Sequence, residues 1–154
     1  MRLLLLALSL CIPVALPAQS DHDAVMSVVN RLFDGMRKGD STMVRSVFDT
    51  KARLISSGTR QGKLFTSIEA NADGFVKGVG SPHTEQWDER IRNPKVQIDG
   101  ALASVWVDYG FFLGQKFSHC GIDHFLLAKN DAGEWKILEL ADTRRSTGCE
   151  QWGK

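Results

Sequence analysis

Residues 101–145 fall into three long runs of alternating character, 101–113, 117–129 and 135–145, joined by Gly114-Gln115 and by Asn130-Asp131-Ala132-Gly133. A period of two interrupted by such turn residues predicts three consecutive antiparallel strands. The middle run carries Ser118-His119-Cys120-Gly121-Ile122-Asp123-His124. A sheet interior holds that many polar and ionisable groups only beside a cavity or against partners that satisfy them. This strand is therefore where chemistry is sought.

Ahead of the strands the period is helical. From Asp23 to Lys38 the apolar residues Val25, Met26, Val29, Leu32, Phe33 and Met36 recur three and four apart, Gly39 suits a helix stop, and Asp40 can cap a second helix that buries Met43, Val44, Val47 and Phe48. A short strand is expected at 52–56 and a turn at 58–62, with a brief extended piece through Leu64 and Phe65. Thr66-Ser67-Ile68-Glu69 matches a capping box, which predicts a third helix running to about Lys77. A further strand is expected over 84–92 with Trp87 and Ile91 on one face, a bulge at Pro94, and a hairpin turn at Asp99-Gly100. Helices followed by a meander of long strands describe an α+β architecture.

The first 20 residues read as a cleaved signal peptide, with Arg2 before an apolar run from Leu3 to Leu16 that Pro13 breaks. Cleavage after Ala18 and after Ser20 are both open. Leu10 stands where lipidation at Cys11 would need a small residue. The expectation is an exported protein, periplasmic or secreted, with one domain at 21–149 and a tail at 150–154. Removing Arg2 from the 19 basic residues leaves 18 against 18 acidic ones, a balance that offers no footprint for nucleic acid or, after signal cleavage, a membrane. The two remaining cysteines, Cys120 and Cys149, are expected to pair in an oxidising compartment; the alternative is two unrelated thiols, one buried and one on a loose tail.

The helical hairpin with Leu32-Phe33, the strand Trp106-Val107-Asp108-Tyr109, His119-Cys120-Gly121-Ile122-Asp123, Gly133-Glu134-Trp135-Lys136-Ile137 and Asp142-Thr143-Arg144-Arg145 together resemble the nuclear transport factor 2-like superfamily. Within it the chain looks most like the secreted bacterial, SnoaL-like and lumazine-binding-like branch. The resemblance implies a cone-shaped fold of three N-terminal helices on a curved, mostly antiparallel sheet. It also implies a small-molecule pocket, with a cofactor-independent isomerase, cyclase or dehydratase as one alternative and a structural dimerisation module as another. The fold hosts many functions, so a site must be argued from residues.

A two-residue turn at Gly114-Gln115 would pair Leu113 with Lys116 and set Trp106 opposite Asp123, Asp108 opposite Gly121 and Gly110 opposite His119. Pairing Ala128 with Trp135 would bring His119 to Arg144 and Gly121 to Asp142. Trp106, Asp108, His119, Asp123, Asp142 and Arg144 then share a face. Asp123 or Asp108 would serve as base, His119 as acid or base partner, Arg144 as anion clamp, and Trp106 as a stacking platform. A slip of one residue would instead favour the rival set Tyr109, His124 and Glu139. No phosphate loop, zinc-spaced set or nucleophile elbow is present, so neither metal nor cofactor is expected. The expected partners are a small molecule and a second copy of the chain.

Overall fold

The computed structural model describes residues 20–153, so the signal-peptide expectation and Cys11 lie outside the described residues. Helix α1 (Asp21–Lys38) starts where the Ser20 hydroxyl accepts from the Asp23 N–H at 3.2 Å, and it stops at Gly39, whose φ of 64° lets its N–H return to the last turn. Asp40 then caps α2 (Ser41–Val47) through the Met43 N–H at 2.8 Å. The two helices cross closely: a Cβ on Gly35 would sit 2.7 Å from Val44 Cγ2.

Next come β1 (Phe48–Arg60) and β2 (Lys63–Glu69), α3 (Asp73–Val79), then β3 (Trp87–Asp99), β4 (Leu102–Leu113), β5 (Lys116–Lys129) and β6 (Trp135–Arg144). The six strands form one sheet in the order β2-β1-β6-β5-β4-β3, antiparallel except where β1 meets β6. The apolar face of α1 packs on this sheet: Val25, Val29, Leu32 and Phe33 are buried with Val105, Val107, Phe125, Leu127 and Ile137, and Phe33 meets Phe125 edge-on at 6.0 Å. This is the expected α+β arrangement of three helices on a curved, mostly antiparallel sheet.

The capping box is corrected. Thr66-Ser67-Ile68-Glu69 pairs with Leu54–Ser57 as the end of β2, and α3 begins only after Ala72, with no side-chain cap. Hairpin pairing outweighed a local capping signal. The tail is ordered too: Cys149 is bonded to Cys120, which excludes the two-thiol alternative, and Trp152 is buried against Gly110.

Strand register decides which residues share a face, and β5 departs from expectation. Leu113 does pair with Lys116, but Ser118 is an extra residue, since Phe112 faces Phe117 and Phe111 faces His119. Beyond this bulge Trp106 pairs with His124, Asp108 with Ile122, Tyr109 with Gly121 and Gly110 with Cys120, one residue away from the expected partners. In β6 the turn also differs by one, with Lys129 rather than Ala128 opposite Trp135. A second bulge at Leu138 adds another offset, so that Asp123 faces Asp142. Two offsets restore parity. Asp142 and Arg144 stay on the side of His119 and Asp123, while Trp106 and Asp108 turn away.

Candidate functional site

On the concave face, under α1 and α3, an inner cavity of about 80 Å³ opens beside a wider chamber of about 280 Å³. The inner cavity is roofed by Leu32, Phe33 and Met36 of α1 with Leu54, Phe75 and Leu140, and floored by Glu89, Tyr109, His119, Asp123, Asp142 and Arg144. The chamber adds Trp87, Phe111 and Leu113 and shares Met36, Phe75, Glu89, His119 and Arg144.

Tyr109 is fully buried, and its hydroxyl donates to the Thr143 carbonyl at 2.9 Å. The ring lies over Gly121, where a Cβ would fall 1.8 Å from the Thr143 oxygen and 2.6 Å from Tyr109 Cε1. The space left by this glycine is therefore filled by tyrosine, and the hollow lies further along β5. Burial and the neighbouring carboxylates Asp142, Glu89 and Asp123 push the phenol well above its ordinary range, so Tyr109 stays protonated. Asp142 accepts from Ser56 Oγ, from Arg144 Nε at 2.7 Å and, weakly, from the Tyr109 hydroxyl at 3.5 Å. Both of its oxygens are thus engaged.

Asp123 is the opposite case. It is 2 % exposed, and its Oδ2 finds no donor among the described residues. Its polar neighbour is the carboxyl of Glu89 on the same cavity floor, and two acids so placed favour holding a proton between them over carrying two charges. Burial, then the Glu89 charge, raises Asp123 far above a usual carboxylate. Burial likewise pushes Glu89 up to about 7, against the hydrogen bond from Asp123; although the residue keeps some exposed surface, its carboxyl lines the cavity. The two acids titrate as one coupled system.

His119 lies edge-on to Tyr109 at 5.7 Å and tilted on Phe111 at 5.1 Å, with Nδ1 3.0 Å from Ser118 Oγ. Burial, helped by Arg144, pulls its pKa down, so the imidazole is neutral at pH 7.

The structure thus brings His119, Asp123, Asp142 and Arg144 together with Tyr109, and separates the other candidates. Trp106 is 49 % exposed on the convex face, 6.0 Å from His124. His124 Nε2 lies 2.9 Å from Ser104 Oγ, Asp108 accepts from Asn93 at 2.9 Å, and Glu139 pairs with Arg53. The rival set is therefore split, with Tyr109 inside and His124 and Glu139 outside. Glu89 was missed, although the pattern contained it: it lies midway between Trp87 and Ile91, and a period of two puts all three on one face. Among the described residues no group of three or more His, Cys, Asp or Glu side chains is arranged to hold a metal ion.

Residues 20–140 match the family described as "Putative lumazine-binding". No curated protein matches the chain. Among solved structures, a nuclear transport factor 2-like protein of unknown function from Shewanella baltica is 21 % identical with a TM-score of 0.62, over 82 % of this chain and 95 % of that one. A protein of unknown function with a cystatin-like fold from Nostoc punctiforme is 13 % identical with a TM-score of 0.65, over 82 % and 92 %. A "putative ketosteroid isomerase" from Shewanella frigidimarina is 16 % identical with a TM-score of 0.58, over 77 % and 94 %. At these identities the likeness shows a shared fold.

Proposed function

The chain belongs to the putative lumazine-binding family of the nuclear transport factor 2-like superfamily, and from that premise we propose that it encloses a small, partly apolar molecule in the concave cavity and exchanges a proton with it through the Asp123–Glu89 pair. The observation that carries this reading is a carboxyl with 2 % exposure and an oxygen without a donor, set in an apolar-roofed cavity beside a second carboxyl. Two acids whose surroundings hold one proton near neutrality are equipped for general acid and base work. His119, neutral beside them, can relay a proton, and Arg144 with the aromatic walls orients the ligand. Tyr109 positions the floor. The ketosteroid isomerase name of one neighbour accords with this chemistry.

Pure binding without turnover is the second reading, favoured by the family description and by the small inner volume of about 80 Å³. A module whose polar strand face serves only for dimerisation fits less well, because the enclosure of Asp123 removes it from any surface a second copy touches. Export agrees with the Cys120–Cys149 disulfide.

Thermal-shift screening against small aromatic and isoprenoid compounds identifies a ligand, and exchange of its C–H hydrogens with deuterated water is then followed by NMR. Asp123→Asn and Glu89→Gln are expected to slow exchange about 100-fold or more, as loss of a general base does. Glu139→Gln, on the other face, leaves it unchanged. Equal exchange in all three variants sinks the catalytic reading.

A further inference from the structure

Resting on the reading of this cavity as a small-molecule site, we propose that the ligand carries a protonated amine on a flat apolar body, the ammonium seated against the Asp123 and Glu89 carboxyls and the body between Trp87, Phe111 and Phe75.

Charge leads to this assignment. The cavity floor holds three carboxyls and one guanidinium, and Asp142 already takes Arg144 Nε at 2.7 Å, so that ion pair offsets itself. Asp123 and Glu89 feel the Arg144 charge but form no ion pair of their own among the described residues. Apart from Arg144, no cation among the described residues lines the cavity: α1, α3 and β1 present only apolar side chains to it, Tyr109 commits its hydroxyl to Thr143, and His119 is held neutral by burial. Asp88, next to Glu89, is engaged by Arg37 and by Arg90. Asp123 lines the cavity and its Oδ2 is a buried acceptor with no donor among the described residues, and leaving such a group unpaired is costly.

A shared proton meets part of this need in the empty protein. An ammonium meets it more fully, bringing one positive charge and three N–H donors to two carboxylates. The exchange balances: the cationic ligand enters, the proton between the acids leaves for solvent, and the cavity ends with the same net charge. Two ionised carboxylates then flank the ligand, the state a general base requires. The wider chamber fits the other end of such a molecule. Trp87 and Phe111 stand edge to face at 6.3 Å along its wall, aromatic surfaces against which a flat apolar ring packs.

Calorimetry on the mature protein with benzylammonium, benzyl alcohol and benzoate, each in two buffers of different ionisation enthalpy, tests the assignment. Benzylammonium is expected to bind at least about tenfold more tightly than either ring of the same size, a difference of about 1.4 kcal/mol. Its heat changes with buffer as about one proton leaves per ligand, and its affinity rises with pH through about pH 7, where Glu89 titrates. Asp123→Asn and Glu89→Gln, shown folded by circular dichroism, each abolish the preference. Benzoate binding tightest, equal affinity for all three, or binding of the amine without proton release overturns the amine assignment. If benzyl alcohol binds and the preference for the amine is absent, the small-molecule reading survives while this one fails. If no ring compound binds at millimolar concentration, both fail.

Discussion

Asp123 on β5 and Glu89 on β3 reach across the intervening strand β4 to place two carboxyls beside the same cavity on the concave face. Neither acid forms an ion pair among the described residues, burial outweighs the Arg144 charge near them, and the stability of the protein therefore depends on pH in an unusual direction. Glu89 has an ordinary pKa of 4.5 that folding raises to about 7, and Asp123 moves the same way. A raised acid contributes stability that is complete below its unfolded pKa and lost as pH climbs through the folded one. Urea unfolding is expected to show a loss on the order of 3 kcal/mol between pH 4.5 and pH 7. Asp123→Asn flattens that slope and raises stability at pH 8. A wild-type curve that rises across this window contradicts the shared proton.

Gly121 allows β6 and the Tyr109 ring to approach β5. Gly121→Ala places a methyl 1.8 Å from a backbone oxygen that cannot move without breaking the ladder. The expected cost is about 3 kcal/mol or more, read as a fall in the urea midpoint. Tyr109→Phe removes the bond to the Thr143 carbonyl and the weak one to Asp142 and costs about 1–2 kcal/mol.

The disulfide spans 29 residues and holds the segment that carries Trp152 against the sheet. Replacing both cysteines by alanine is expected to lower stability by about 3.5 kcal/mol through the loosened unfolded chain. Trp152 fluorescence should then shift to the red, as its ring leaves Gly110 and Arg92. An unchanged spectrum would mean that the tail holds without its crosslink.

On the convex face, His124→Ala and Trp106→Ala touch neither cavity. Ligand affinity in both variants stays within about twofold of wild type, a difference below 0.5 kcal/mol, as measured by the same calorimetry that scores Asp123→Asn. A tenfold loss in either variant would relocate the site.

Much of this architecture was legible in the chain. The spacing from Val25 to Met36, the stop at Gly39, the Asp40 cap, the bulge at Pro94 and the turns at Gly100 and Gly114 all correspond to the elements observed. Local chemistry determines each of these, so local reading suffices. The site was harder, because facing depends on parity, and parity depends on every residue between the turn and the position of interest. Nothing in Phe117-Ser118-His119 announces that Ser118 will be left unpaired; that follows from fitting β5 against β4 while the disulfide and tail hold Cys120 on the far side. Asp142 and Arg144 remained on the expected side because two offsets cancelled. Glu89 escaped notice because it stood alone among charged neighbours, Asp88 and Arg90, that point outward.

The unpaired serine has a consequence for reading relatives of this chain. With it, Tyr109 and His119 work inside the cone; in a homologue one residue shorter at this point, His119 and Asp123 would turn to the side of Trp106 and Asp108 and part from Tyr109. Two sequences could then agree at every motif position and still carry different chambers. The length of this hairpin is therefore a better guide to shared chemistry than the identity of its histidines.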